Sequence, residues 1–131
     1  MGMAKNTALL LAVAGFLLFN ISLALAVFSN PSLRLFSDYL SSYGEPGSPS
    51  APFFNYGAML AGVIVILVFL SLKKPASTNL GAAACLIGAL CGVALVGVGV
   101  YPTTTSLHYP LSEAYFALAS LSVLTYSADY A

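Results

Sequence analysis

Apolar residues run almost unbroken through four stretches of the chain, 8–28, 56–72, 80–100 and 111–127, and polar residues gather between them. A helix needs about 20 such residues to cross the roughly 30 Å hydrocarbon core, and the second stretch sits at the short end of that range. None of the four alternates apolar with polar positions, as the strands of an outer-membrane barrel would. A backbone in hydrocarbon must bond to itself, so the pattern predicts four transmembrane helices. The expected fold is all-α: an integral membrane four-helix bundle forming a single domain over 1–131.

The first link, NPSLRLFSDYLSSYGEPGSPSAPFFN, has a pattern of its own. Asn30-Pro31 can start a helix, and Leu33, Phe36, Leu40 and Tyr43 then recur at helical spacing. Gly44 ends the pattern, and Pro46, Pro49 and Pro52 follow in a loop. The spacing predicts a short amphipathic helix over 31–43, lying at the outer membrane interface. Arg34 and Asp38 are four residues apart and can pair on its wet face, for roughly 0.3 kcal/mol. Among the spans, Asn55 is the expected cap of the second helix and Ser77 or Asn79 of the third. Pro110 suits the first turn of the fourth, which sets Glu113 near a helix N-terminus.

Composition agrees with this reading: 60% of the 131 residues are hydrophobic and 6% charged. A soluble domain carries about 25% charged residues. The net charge is zero and no basic cluster extends beyond Lys73-Lys74, so nothing points to nucleic acid. Lys5 precedes the first span and Lys73-Lys74 lie between the second and third. The link after the third has no lysine or arginine, and Arg34 in the first link is outweighed by Asp38 and Glu45. Positive residues stay inside. The expectation is a multi-pass protein of the cell membrane with both termini cytoplasmic and the loops around Asp38 and His108 outside. Lys5, the first apolar run and Ala24-Leu25-Ala26 together mimic a secretory signal. The run is longer than the 7–15-residue core of such signals, so an uncleaved span is expected.

Helices in lipid gain nothing from water-driven burial and associate through close contact, which favours small residues. The third span is the richest in them: Gly81, Cys85, Gly88, Gly92 and Gly99 fall near one face, Ala84 lies beside it, and Gly97 is a further packing residue. Gly88-x-x-x-Gly92 is a helix-contact pattern, and the second span offers Gly57-x-x-x-Ala61 followed by Gly62. The third helix is therefore expected at the centre of the bundle, against at least two others. Cys85 and Cys91 are six residues apart on this helix and point about 120° away from each other, which argues for two packing residues over a disulfide or a shared metal. Asn20 is polar in mid-span; its amide bonds either a neighbouring helix or its own backbone.

Four segments form an ordered series: SDYL at 37–40, FFNYGAMLAG at 53–62, LVGVGVYP at 95–102, then His108 and Phe116 downstream. Over 37–116 the chain resembles the prokaryotic membrane family catalogued as domain-of-unknown-function family 998, a distant relative of the eukaryotic DRAM autophagy modulators. The resemblance implies that Ser37 and Asp38, Phe54 and Asn55, Gly97, Gly99 and Pro102, and His108 are the family positions. It implies six spans where this sequence carries four, and it brings no activity with it.

With the expected orientation, His108, the one histidine, and Glu113 share the outer face with Asp38, Glu45 and Asn55. Asp38 and His108 meeting above the bundle would fix the tautomer of the imidazole. The plainer expectation is a tie between two loops. Known enzyme chemistries fail on inventory. Zinc needs three or four His, Cys or carboxylate ligands, and bis-histidine haem a second histidine. A Schiff-base chromophore needs a mid-span lysine, and a serine hydrolase a Gly-x-Ser-x-Gly elbow. No carboxylate lies mid-span to relay ions. The chain is therefore expected to be non-enzymatic and without cofactor or metal. The first expectation is an accessory or scaffolding subunit packing against other transmembrane proteins. The alternative is a protein that binds a lipid or small ligand through Asp38, Asn55 and His108.

Overall fold

The computed structural model describes residues 2–34, 36–73 and 78–129. Among these residues four α-helices follow one another: α1 (Gly2–Ser29), α2 (Ala51–Lys73), α3 (Asn79–Val100) and α4 (His108–Ala128). A 3-10 helix, Leu40–Gly44, lies in the first link. Lys74 and Ser77 fall outside the described residues, as do the side chains of Lys5 and Lys73, so the basic link between α2 and α3 has no structural account. Three helices are long and apolar enough to cross a membrane: residues Asn6–Ser29 of α1, Ala51–Leu72 of α2 and all of α3. Phe16, Leu17, Leu86 and Val93 are among their outward-facing side chains, a surface suited to acyl chains and not to water. α4 was expected as a fourth span. It matches the others in length, but Ser112, Glu113, Ser120, Ser122, Thr125 and Ser127 lower its hydropathy.

The helices alternate in direction. At one end Thr103 donates to Glu45 Oε1 at 3.5 Å, joining the first link to the loop after α3. At the other, the Thr78 hydroxyl donates to the Asp129 carboxylate and joins the start of α3 to the end of α4. α2 packs on both α1 and α3, and α3 packs on α4. The centre is therefore the α2–α3 pair, not α3 alone. Glycine makes that seam close. A Cβ on Gly62 would lie 2.7 Å from the Gly92 carbonyl oxygen, and one on Gly92 would lie 2.7 Å from that of Gly62. Gly88 lies under the Phe69 ring, Gly99 against the Asn55 carbonyl, and Gly97 against Leu111 of α4. Gly57 meets Ser22 of α1, while Ala61 and Gly81 are buried. The Ser122 hydroxyl, also buried, crosses to the Ala84 carbonyl at 3.0 Å and fixes α4 on α3. Both cysteines are buried thiols with no disulfide between them, and Cys91 Sγ donates to the Tyr115 carbonyl at 3.6 Å. Asn20 takes the local option, its Nδ2 donating to Phe16 O at 2.8 Å.

The first link departs from its sequence pattern. No α-helix spans the described part of 31–43; turns occupy it, followed by the 3-10 helix. Asn30 does not cap a helix. Its amide donates to Ser48 Oγ at 2.9 Å and its side-chain oxygen accepts from Ser32. The Asp38 carboxylate accepts from the Arg34 backbone N–H, a local bond that competes with helical pairing, in place of the expected side-chain pair. The four apolar residues also part company, with Phe36 outside and Tyr43 fully buried. Tyr43 joins Ala26 and Phe54 in a core cluster, and its hydroxyl donates to Leu33 O at 3.2 Å.

Two caps are also corrected. α2 starts at Ala51, so Asn55 lies within the helix and caps nothing. The prolines read as loop residues do not prevent this, because a first-turn N–H has no helical partner to lose. Pro52 sits there, and Phe54 N–H already donates to Ser50 O at 3.1 Å. The cap of α3 is Thr78, whose hydroxyl accepts from Gly81 N–H at 3.0 Å, so Asn79 is the first helical residue instead.

Three substitutions test the packing. Gly92→Leu drives a side chain into the α2 backbone and is expected to cost about 2–3 kcal/mol, read as a lower midpoint of thermal unfolding in detergent. Val93→Leu, on the exposed side of the same helix, should leave that midpoint nearly unchanged. Ser122→Ala should cost only about 0.6 kcal/mol, the usual worth of an interhelical hydrogen bond in lipid, and a loss several times larger would mean that Ser122 does more than bridge α4 to α3.

Candidate functional site

Because α1 packs on α2 and α4 on α3, the two outer helices do not pack along each other. A cavity of about 840 Å³ opens between them. Its floor is α2 from Phe54 to Phe69, with Leu95 and Val98 of α3, and its walls are α1 and α4. The sixteen residues from Phe54 to Phe69, fifteen helical rises, give it a length of about 22 Å along α2. Small residues on the walls and floor keep it open, among them Ala12, Gly15, Ala58 and Ala61.

The polar lining collects at the end where the first link and the α3–α4 loop meet. Ser41, His108 and Ser112 lie there with Tyr39 and Tyr109. Among the described residues no Asp, Glu, Lys or Arg lines the cavity. His108 is the first residue of α4 and is 3% exposed. Its Nδ1 lies 2.7 Å from Tyr101 O. The loop beneath it is closed by Thr105, whose N–H and hydroxyl both donate to Pro102 O, at 2.9 and 2.8 Å. The imidazole thus ties the start of α4 back to the end of α3. Its ring stands edge-on to Tyr109, centroids 5.8 Å apart.

The polar residues singled out from the sequence do not form one cluster. Asp38 is exposed and bonds to Arg34 N–H, whereas His108 is buried and bonds to Tyr101, so no hydrogen bond joins them. The plainer expectation, a tie between two loops through Asp38 and His108, does not form either: His108 bonds within its own loop and Asp38 within the first link. Asn55 donates through Nδ2 to Gly44 O at 3.0 Å, bracing the 3-10 helix on α2. Gly44 is required there, since a Cβ would strike the Asn55 amide. Glu113 is exposed one turn into α4 and does not line the cavity. Only His108 of the four lies on the cavity wall.

Sequence reasoning missed several residues. Ser50 is fully buried, donating to Tyr43 O at 2.7 Å and lying 2.6 Å from Ser48 Oγ. With Asn30 these serines form a satisfied chain from the end of α1 to the start of α2. Ser41, Ser112 and Tyr115 were also passed over; only their position across a shared cavity marks them, and one sequence does not show which helices face each other.

No curated protein and no solved structure matches the chain. A family model matches residues 13–131, which takes in all of α2, α3 and α4, most of α1, and every residue of the cavity wall beyond Ala12. The chain belongs to that family, described as a protein of unknown function, DUF998.

Proposed function

We propose that this chain is a four-span integral membrane protein that binds an amphiphilic molecule, a membrane lipid or a small lipid-like ligand, in the cavity between α1 and α4. A single observation carries the proposal: a cavity of about 840 Å³, apolar along α2 and polar at one end. That volume falls within the roughly 300–1,000 Å³ of small-molecule sites, and its composition, apolar with a few convergent polar groups, is theirs as well. α4 is counted as a span because three of its hydroxyls in the second half of the helix are met within the protein. Ser120 and Thr125 donate to the carbonyls four residues back, at 2.9 and 2.7 Å, and Ser122 donates to α3. Hydroxyls paired in this way cost little in hydrocarbon.

The lysine distribution supports a cell-membrane orientation with both termini cytoplasmic and the His108 end outside. In this reading the protein acts by binding and not by catalysis. The accessory-subunit role drew its motive from small-residue surface available to partner helices. Gly57, Gly62, Gly88, Gly92, Gly97 and Gly99 instead pack against other helices of the same chain, so ligand binding has the stronger support.

The test uses the full chain purified in mild detergent, with retained lipids identified by native mass spectrometry and by solvent extraction. The wild type is expected to retain an amphiphile. Ala12→Phe combined with Ser112→Phe, one substitution on each wall, should reduce its occupancy at least tenfold, with the thermal midpoint reporting that the fold survives. A wild type carrying nothing above an unrelated membrane protein, or filled variants carrying as much as the wild type, would sink the proposal.

A further inference from the structure

The chemistry at the polar end narrows the class of ligand. A backbone carbonyl can only accept, so the 2.7 Å contact between His108 Nδ1 and Tyr101 O requires Nδ1 to carry the hydrogen. In the neutral imidazole Nε2 is then a bare acceptor. Nε2 has no hydrogen bond to any described residue, yet no buried side-chain nitrogen or oxygen among those residues lacks a partner. Among the described residues Nε2 is thus without a hydrogen-bond partner and not sealed from open space. His108 is 97% buried (3% exposed) and lines the cavity, which is the open space its ring borders. An acceptor held rigidly at the polar end of an apolar groove asks for a donor.

The rest of the lining sets the charge. With no lysine or arginine among the described residues of the wall, a phosphate or carboxylate brought to this end would be desolvated without a counter-charge, which is costly. With no aspartate or glutamate, an ammonium headgroup fares no better. Ser41 and Ser112 can donate or accept and so complete the bonds of a hydroxyl. We infer that the cavity selects an uncharged amphiphile whose headgroup presents a hydroxyl, of the long-chain alcohol or acylglycerol class, with that O–H donated to His108 Nε2. The inference rests on the amphiphile-binding reading and specifies its headgroup.

The test is competition, in detergent, against a fluorescent polyene fatty alcohol, using three compounds with the same chain: oleyl alcohol, oleyl methyl ether and oleyl sulfate. The alcohol should displace the probe at a roughly three- to tenfold lower concentration than the ether, the worth of one hydrogen bond, and the sulfate should be the weakest. His108→Asn keeps an amide able to bond Tyr101 O and removes the atom at the Nε2 position. It should bring the alcohol and the ether to equal potency while leaving the affinity of the ether unchanged. Should the variant fail to fold, the alcohol-to-ether ratio on the wild type still decides the matter. Equal displacement by all three compounds, or preference for the sulfate, would overturn the headgroup assignment and leave the groove standing. If no compound competes, or if Ala12→Phe with Ser112→Phe leaves probe binding unaltered, the groove itself fails as the site.

Discussion

The backbones of α2 and α3 touch at Gly62 and Gly92, and the rest of the arrangement follows from that contact. In hydrocarbon, two helices have little reason to associate unless their atoms come close enough for dispersion and weak polar contacts to outdo lipid packing. Glycine on both sides of the crossing permits this. Once the two central helices are this close, α1 and α4 have to dock on the outer flanks. Gly57 receives Ser22 of α1, and Gly97 receives Leu111 of α4. Each outer helix thus packs against a single central neighbour, and the gap between them is a geometrical consequence of the tight centre.

The first link holds one end of this frame in shape without a regular helix. Asn30, Ser48, Ser50 and the Tyr43 carbonyl form a chain of hydrogen bonds, and the Tyr43 ring fills the space between α1 and α2. Asn55 clasps the same segment from the α2 side. A buried polar network with every member satisfied specifies one geometry, because any rearrangement strands a donor or an acceptor in a low-dielectric setting. The segment is polar by composition and well anchored by bonding, which suits a part that forms one lip of a cavity.

How far the sequence foretold this depends on the kind of interaction involved. Helices were legible because length and apolarity determine them in lipid, and α3 ran where its apolar stretch placed it. The small-residue contacts were legible too, since Gly88-x-x-x-Gly92 signals contact even though it cannot name Phe69 or Gly62 as the partners. The first link was not. Its Leu33, Phe36, Leu40 and Tyr43 spacing fits a helix, but the Asp38 carboxylate offered the Arg34 backbone N–H an alternative that spacing does not register. Asn55 misled for a related reason: proline marks a loop until it falls in a first turn, and there it marks a beginning. His108 was singled out correctly as unusual and given the wrong companion. Asp38 and the imidazole belong to different loops, and the partner that holds the ring is a carbonyl that every residue possesses.

The gap between α1 and α4 faces sideways along helices of bilayer length. A molecule reaching it by that route would arrive through the lipid leaflet, and its supply would be set by its mole fraction among neighbouring lipids, whatever its aqueous solubility. Binding strengths quoted per litre of water would then mislead. A scarce lipid that rarely leaves the leaflet could still keep the cleft filled, and enriching that lipid in the surrounding membrane would alter occupancy even at constant concentration in the bulk.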